Sequence, residues 1–69
     1  MIYHARVVFE RNASVAERHT DVSAAQRWIE SERHAQPASF RLGQIVSGAP
    51  AHEVIATCDA KGWRQDGGP

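Results

Sequence analysis

The chain has 69 residues with one cysteine, and its eight Lys+Arg are balanced by eight Asp+Glu, so that its formal net charge is zero. This length gives one domain with a small core, which favours stabilisation by a second chain. The balanced charge disfavours a protein that follows a nucleic-acid backbone, and the single cysteine excludes an internal disulfide.

The N-terminal residues indicate the cellular location. They lead directly into strand-like sequence, without the basic region and apolar stretch of a signal peptide. No run approaches the roughly 20 apolar residues of a membrane span. We therefore expect a cytoplasmic protein that does not bind membranes. The bias towards arginine and alanine favours a bacterial source.

A β-hairpin is predicted at the start of the chain. Residues 2–9 alternate in the manner of a half-buried strand, with a core face formed by Tyr3, Ala5, Val7 and Phe9. A weaker alternation covers residues 14–20. A two-residue turn at Arg11-Asn12 would use the tolerance of Asn for positive φ. The register that follows pairs Val8 with Val15, Arg6 with Glu17 and His4 with His19.

The segment 21–35 has the pattern of an amphipathic helix. Ser23 and Gln26 have the spacing of a capping box, and Thr20 and Asp21 are further candidates for the N-cap. The core stripe consists of Val22, Ala25, Trp28 and Ile29, with Trp28 predicted at its centre. The helix must end before Pro37, which disfavours the helical conformation of the residue before it.

A second hairpin is predicted from strands at residues 39–47 and 53–59, joined by a turn that includes residues 47–50. Phe40 and Leu42 are assigned to one face. The alternation breaks at Gly43, where a bulge or a close backbone contact would explain the switch, and it resumes through Ile45. Ile45 is assigned, with Val8 and Val15, to the open sheet face. The Gly-rich sequence after Ala60 predicts a flexible tail.

The predicted fold is a small α+β domain, with element order strand-strand-helix-strand-strand and one helix packed on one face of an antiparallel sheet. Residues 1–60 form the single domain and residues 61–69 the tail. The other sheet face stays open, and it needs solvent-compatible side chains or a partner.

No motif in the chain indicates a specific chemistry, so that a non-enzyme is favoured and no cofactor is expected. A cross-strand pair of His4 and His19 could contribute two ligands to a transition metal, but two ligands rarely make a specific site, and no metal site is predicted. Cys58, with His52 or His4 as a base, could act as a nucleophile. Its place in a strand pattern favours packing instead.

We therefore expect a small non-catalytic protein-binding or accessory module that forms a homodimer through a sheet edge or the open sheet face, with another protein as a further partner. The predicted interface residues are Val8, Val15, Ile45 and Trp63, surrounded by His4, Arg6 and His19. Two alternatives stay open. One is a nucleic-acid-associated regulator, antitoxin-like or RNA-binding, that uses surface arginines. The other is a ligand-binding protein or enzyme with a site at a dimer junction.

Overall fold

A computed structural model describes residues 2–48 and 53–65 of the chain. Its elements are β1 (Tyr3–Phe9), β2 (Ser14–His19), α1 (Val22–Ala35), β3 (Phe40–Ser47), β4 (Val54–Asp59) and β5 (Gly62–Gln65). The five strands form one antiparallel sheet in the order β2-β1-β3-β4-β5. The α+β class with one helix on the sheet is thereby confirmed. The sheet extends to Gln65, beyond the predicted domain boundary at residue 60, and residues 66–69 lie outside the described ranges.

A 3-10 turn of three residues, Glu10–Asn12, lies between the hydrogen-bonded residues Phe9 and Ala13, where the sequence predicted a turn of two. Both Arg11 (φ 64°) and Asn12 (φ 62°) adopt the left-handed conformation, so that Asn12 has the positive φ expected of it. The extra residue shifts the register by one, and His4 lies opposite Arg18 while Tyr3 lies opposite His19. Because side chains alternate between faces, every predicted pair in this hairpin is wrong.

Helix α1 begins and ends close to the predicted positions. Its N-cap is Asp21, whose carboxylate accepts a hydrogen bond of 3.2 Å from the backbone N–H of Ala24, so that the predicted Ser23–Gln26 capping box is not the cap. The helix ends at Ala35, ahead of Pro37. Ile29, rather than Trp28, is the fully buried centre of the stripe, and Trp28 packs against the core from its margin.

A register shift at Arg41 and a close contact at Gly43 define how β3 sits in the sheet. The register between β1 and β3 shifts at Arg41, because Phe9 pairs with Phe40 but Val8 pairs with Leu42. Phe40 and Leu42 therefore lie on opposite faces, and the predicted change at Gly43 occurs earlier. The close contact expected at Gly43 is present, since Ile29 packs directly on its backbone.

The core lies between α1 and the sheet. Its buried members come from α1 and from strands β1, β3 and β4: Ala5, Val7, Phe9, Ala25, Ile29, Phe40, Ile45, Ala56 and Cys58. Within the described ranges no helix combines the length and apolarity needed to cross a membrane. The sheet face opposite α1 has no element packed on it in residues 2–48 and 53–65.

Candidate functional site

The open sheet face combines aliphatic and cationic side chains. Cross-strand pairing places on it, as successive rows, Arg18, His4, Val46 and Val54; then Ala16, Arg6, Gln44, Thr57 and Arg64; then Ser14, Val8 and Leu42. The aliphatic members are each partly exposed and none belongs to the core cluster. A shallow depression lined by Arg6, Val8, Leu42 and Gln44 lies in this face. The face is therefore a mixed surface that keeps apolar area accessible to a partner.

The charge of the open face is uneven. Arg64 lies 3.6 Å from a carboxylate oxygen of Asp59, which offsets its charge. Arg6 and Arg18 have no ion-pair partner among the described residues. They occupy neighbouring strands at diagonal positions, which are about 7–8 Å apart in an antiparallel pair. Two arginines at neighbouring positions on one face, without an ion-pair partner among the described residues, favour a ligand that carries carboxylate or phosphate groups.

The structure places only three of the seven predicted interface residues on this face: His4, Arg6 and Val8. Val15 pairs with Val7 and so lies on the helix side, where it is 41% exposed at the sheet edge. Ile45 is 0% exposed in the core, opposite Ala5. The assignment of Val15 and Ile45 to the open face is therefore wrong, because of the one-residue shift in the first hairpin and the bulge at Arg41.

His19 also lies on the helix side. Its ring centroid is 6.0 Å from that of Trp28, and its Nε2 atom is 3.2 Å from a carboxylate oxygen of Glu17. Since His4 points to the other face, the predicted His4–His19 pair does not form. In the part of the chain that the structure describes, no group of three or more His, Cys, Asp and Glu side chains could hold a metal ion. His52 lies outside the described residues.

Trp63 folds back onto helix α1. It pairs with Cys58 across β4 and β5, and its indole N–H donates a hydrogen bond of 2.7 Å to Glu30. Arg33 approaches the same Glu30 oxygen at 3.4 Å and donates to the carbonyl of Ala60 at 3.3 Å. This cluster attaches the β4–β5 hairpin to the helix. It gives Trp63 a structural role within the single chain, by folding back onto the helix.

Cys58 lies beneath that cluster and is fully buried. Burial raises the pKa of its thiol, and the nearby carboxylates of Glu30 and Asp59 add to the effect although Arg33 opposes it. A nucleophilic cysteine needs the opposite shift and access to solvent. The arrangement therefore supports the packing role of Cys58 and does not support thiolate chemistry.

The sequence did not assign nine residues of the open face to the interface, among them Arg18, Leu42, Val46 and Val54. The alternation of β3 contains a usable signal, because Leu42, Gln44 and Val46 share a face once the bulge at Arg41 is known. No sequence feature identifies Arg41 as the bulge. In the predicted register Arg18 would share the face of Val7, and the observed register turns it to the open face.

Comparison with known proteins returns no relationship. No family model, curated protein or solved structure matches the chain.

Proposed function

We propose that this chain is a non-catalytic protein-binding module, acting as a homodimer, that holds an acidic protein partner on its open sheet face. The observation that carries the proposal is that Arg6 and Arg18 have no ion pair with any residue that the structure describes and lie beside partly exposed aliphatic side chains. Interfaces combine apolar contact area with a few well-placed charges, and arginine is enriched among the residues that contribute most to binding.

The charge of the face favours a different protein over a second copy at this surface. If two copies stacked their open faces, the unpaired Arg6 and Arg18 of each would face a surface of the same sign. Like charges placed opposite each other at an interface cost up to roughly several kcal/mol of binding free energy. A penalty of this size suppresses binding of a wrong partner. A partner with carboxylates would instead neutralise them.

The distribution of aromatic side chains favours protein over single-stranded nucleic acid. Binding of unpaired bases depends on aromatic rings exposed on a sheet face or groove. Among the described residues, the aromatic side chains Tyr3, Phe9, Trp28, Phe40 and Trp63 all belong to the helix side or the core cluster. Among the described residues, the open face offers arginines and the single ring of His4 rather than a row of aromatic rings.

We also propose a cytoplasmic location, which is supported by the free thiol of the buried Cys58.

The proposal is tested by isolating tagged protein from cells of its own source and identifying what stays bound. Leu42→Glu places a carboxylate in the middle of the open face and should abolish retention of the partner. Ser31→Glu adds the same charge on the exposed surface of α1 and serves as the matched control, with retention unchanged. Retention of the same acidic protein by the Leu42→Glu variant, or retention of RNA by the wild type, would contradict the proposal.

A further inference from the structure

We propose that the edge strand β2 pairs with β2 of a second copy of this chain, antiparallel, with Ala16 at the two-fold axis. This inference rests on the homodimer that forms part of the proposed function, and it identifies the contact and register. The contact uses the backbone of the β2 edge, whereas the partner is held by side chains of the open face. The dimer and the partner complex can therefore be tested separately.

The backbone of β2 has hydrogen-bonding groups directed away from the sheet. The N–H of Phe9 donates to the carbonyl of Ala13 at 2.7 Å, which marks this pair as hydrogen-bonded. Hydrogen-bonded and non-hydrogen-bonded pairs alternate along an antiparallel ladder. Val15, Glu17 and His19 therefore bond to β1 like Ala13. The outward positions are Ser14, Ala16 and Arg18.

The edge has none of the backbone features that prevent strand addition. Protected edges use prolines, bulges, very short strands or charged side chains, and β2 has the last of these, at Glu17 and Arg18. Strand β2 has six residues without proline or glycine, and its register with β1 is continuous. Val15, 41% exposed, projects from it. At the other edge, β5 has four residues and begins with Gly62. Strand β2 is therefore the better site for addition of another strand.

Pairing about Ala16 matches β2 to itself and leaves the two Glu17 side chains at diagonal rather than directly opposed positions. Ser14 of one copy lies opposite Arg18 of the other, and Val15 lies opposite Glu17, so that no like charges are directly opposed. The two Val15 side chains come to diagonal positions on the helix side. Each copy presents outward N–H groups at three positions of β2. The two copies therefore form six backbone hydrogen bonds with each other.

Other registers are less favourable. If the two-fold axis moves from Ala16 to Glu17, the two Glu17 side chains lie directly opposite each other. If it moves on to Arg18, the two Arg18 side chains do so. A shift in the opposite direction brings Arg18 opposite Asn12, whose φ of 62° takes it out of the strand conformation. Only the register centred on Ala16 uses all three outward positions. It joins two five-stranded sheets into one continuous sheet through an isologous contact.

The test compares sedimentation equilibrium of the wild-type chain with that of Ala16→Pro and Ala16→Thr. Proline removes an N–H that β1 does not use, so that Ala16→Pro should keep the fold and lose the dimer. Threonine keeps the N–H and favours a strand, and Ala16→Thr should stay dimeric. We expect twice the 7.6 kDa chain mass for the wild type and for Ala16→Thr, and the single chain mass for Ala16→Pro.

Amide hydrogen exchange of the wild type gives a second readout that needs no variant. In the dimer, the amides of Ser14, Ala16 and Arg18 should exchange as slowly as those of Val15 and Glu17. In a monomer, the amides of Ser14, Ala16 and Arg18 should exchange faster than those of Val15 and Glu17. A monomeric wild type would overturn both this inference and the homodimer in the proposed function. A dimer that persists in Ala16→Pro, with rapid exchange at Ser14, Ala16 and Arg18, would overturn the β2 contact alone.

Discussion

The side chain of Ile29 lies directly on the backbone of Gly43, so that a Cβ atom added at Gly43 would come within 2.5 Å of Ile29 Cγ2. Ile29 is fully buried at the centre of α1, and Gly43 lies in β3 at the middle of the sheet. The absence of a side chain at Gly43 therefore sets how closely the helix approaches the sheet.

Gly43→Ala should destabilise the fold by about 1–3 kcal/mol, the usual cost of overpacking a well-packed core. The methyl group that clashes is attached to the Cβ of Ile29, which leaves it little freedom to move. Urea unfolding followed by circular dichroism measures the change. In an Ile29→Leu background, where that methyl group is missing, the same substitution should cost at least about 0.5 kcal/mol less. Equal costs in the two backgrounds would show that the contact is not the cause.

Trp63→Phe should lower the free energy of unfolding by about 1.5–3 kcal/mol, the range for a hydrogen bond to a charged group. The substitution removes the indole N–H that donates to Glu30 at 2.7 Å, and with it the attachment of β5 to the helix. Urea unfolding is again suitable, with Ser31→Ala on the exposed side of α1 as control. A change below about 0.5 kcal/mol, typical of surface substitutions, would argue against the contact.

Ile45→Glu and Leu42→Glu should have different effects although the two positions lie three residues apart. Ile45 is 0% exposed, and a carboxylate there would be buried without a partner, so that the variant should fail to fold. Leu42 is partly exposed on the open face, and its carboxylate would stay solvated. Circular dichroism should show loss of structure for Ile45→Glu only. A folded Ile45→Glu variant would contradict the assigned faces of β3.

Stability should fall above about pH 8.5, the ordinary pKa of a cysteine in the unfolded chain. Because burial raises the pKa of Cys58 in the folded state, the unfolded chain loses the thiol proton first as pH rises. The unfolded state then binds fewer protons than the folded state, and the free energy of unfolding decreases with a slope of up to about 1.4 kcal/mol per pH unit. The decrease ends once the pH passes the raised pKa.

The matched variant for this effect is Cys58→Ala. It should be less stable at every pH because of the cavity it creates, but its stability should decline less steeply above pH 8.5 than that of the wild type. Identical slopes for the two proteins would show that Cys58 is not the titrating group. Labelling of the wild type by a thiol reagent at neutral pH should proceed only as fast as the chain opens.

The helix and the fold class follow from local sequence signals, because each depends on few residues. The spacing of Ala25 and Ile29 identifies the buried stripe of α1, and Pro37 limits its end. Gly43 indicates a close contact because a strand interior otherwise disfavours glycine. The prediction of these features does not depend on the register of the strands.

The faces of the strands were harder to predict, because one extra residue reverses them. The left-handed conformation of Arg11, a residue type that rarely adopts it, lengthens the first turn and turns Val15 and His19 to the helix side. The bulge at Arg41 does the same for Ile45. The sequence does not predict strand β5, because Gly62 and its polar neighbours resemble a tail. The strand pairs with β4, and its Trp63 contacts Glu30 of the helix.

Native mass spectrometry of the tagged chain, isolated gently from cells of its own source, tests the central claim most directly. The account predicts two copies of the chain together with a bound acidic protein, and loss of that protein alone in the Leu42→Glu variant. A bare monomer, or a species that carries metal, nucleotide or RNA in place of a protein, would contradict it.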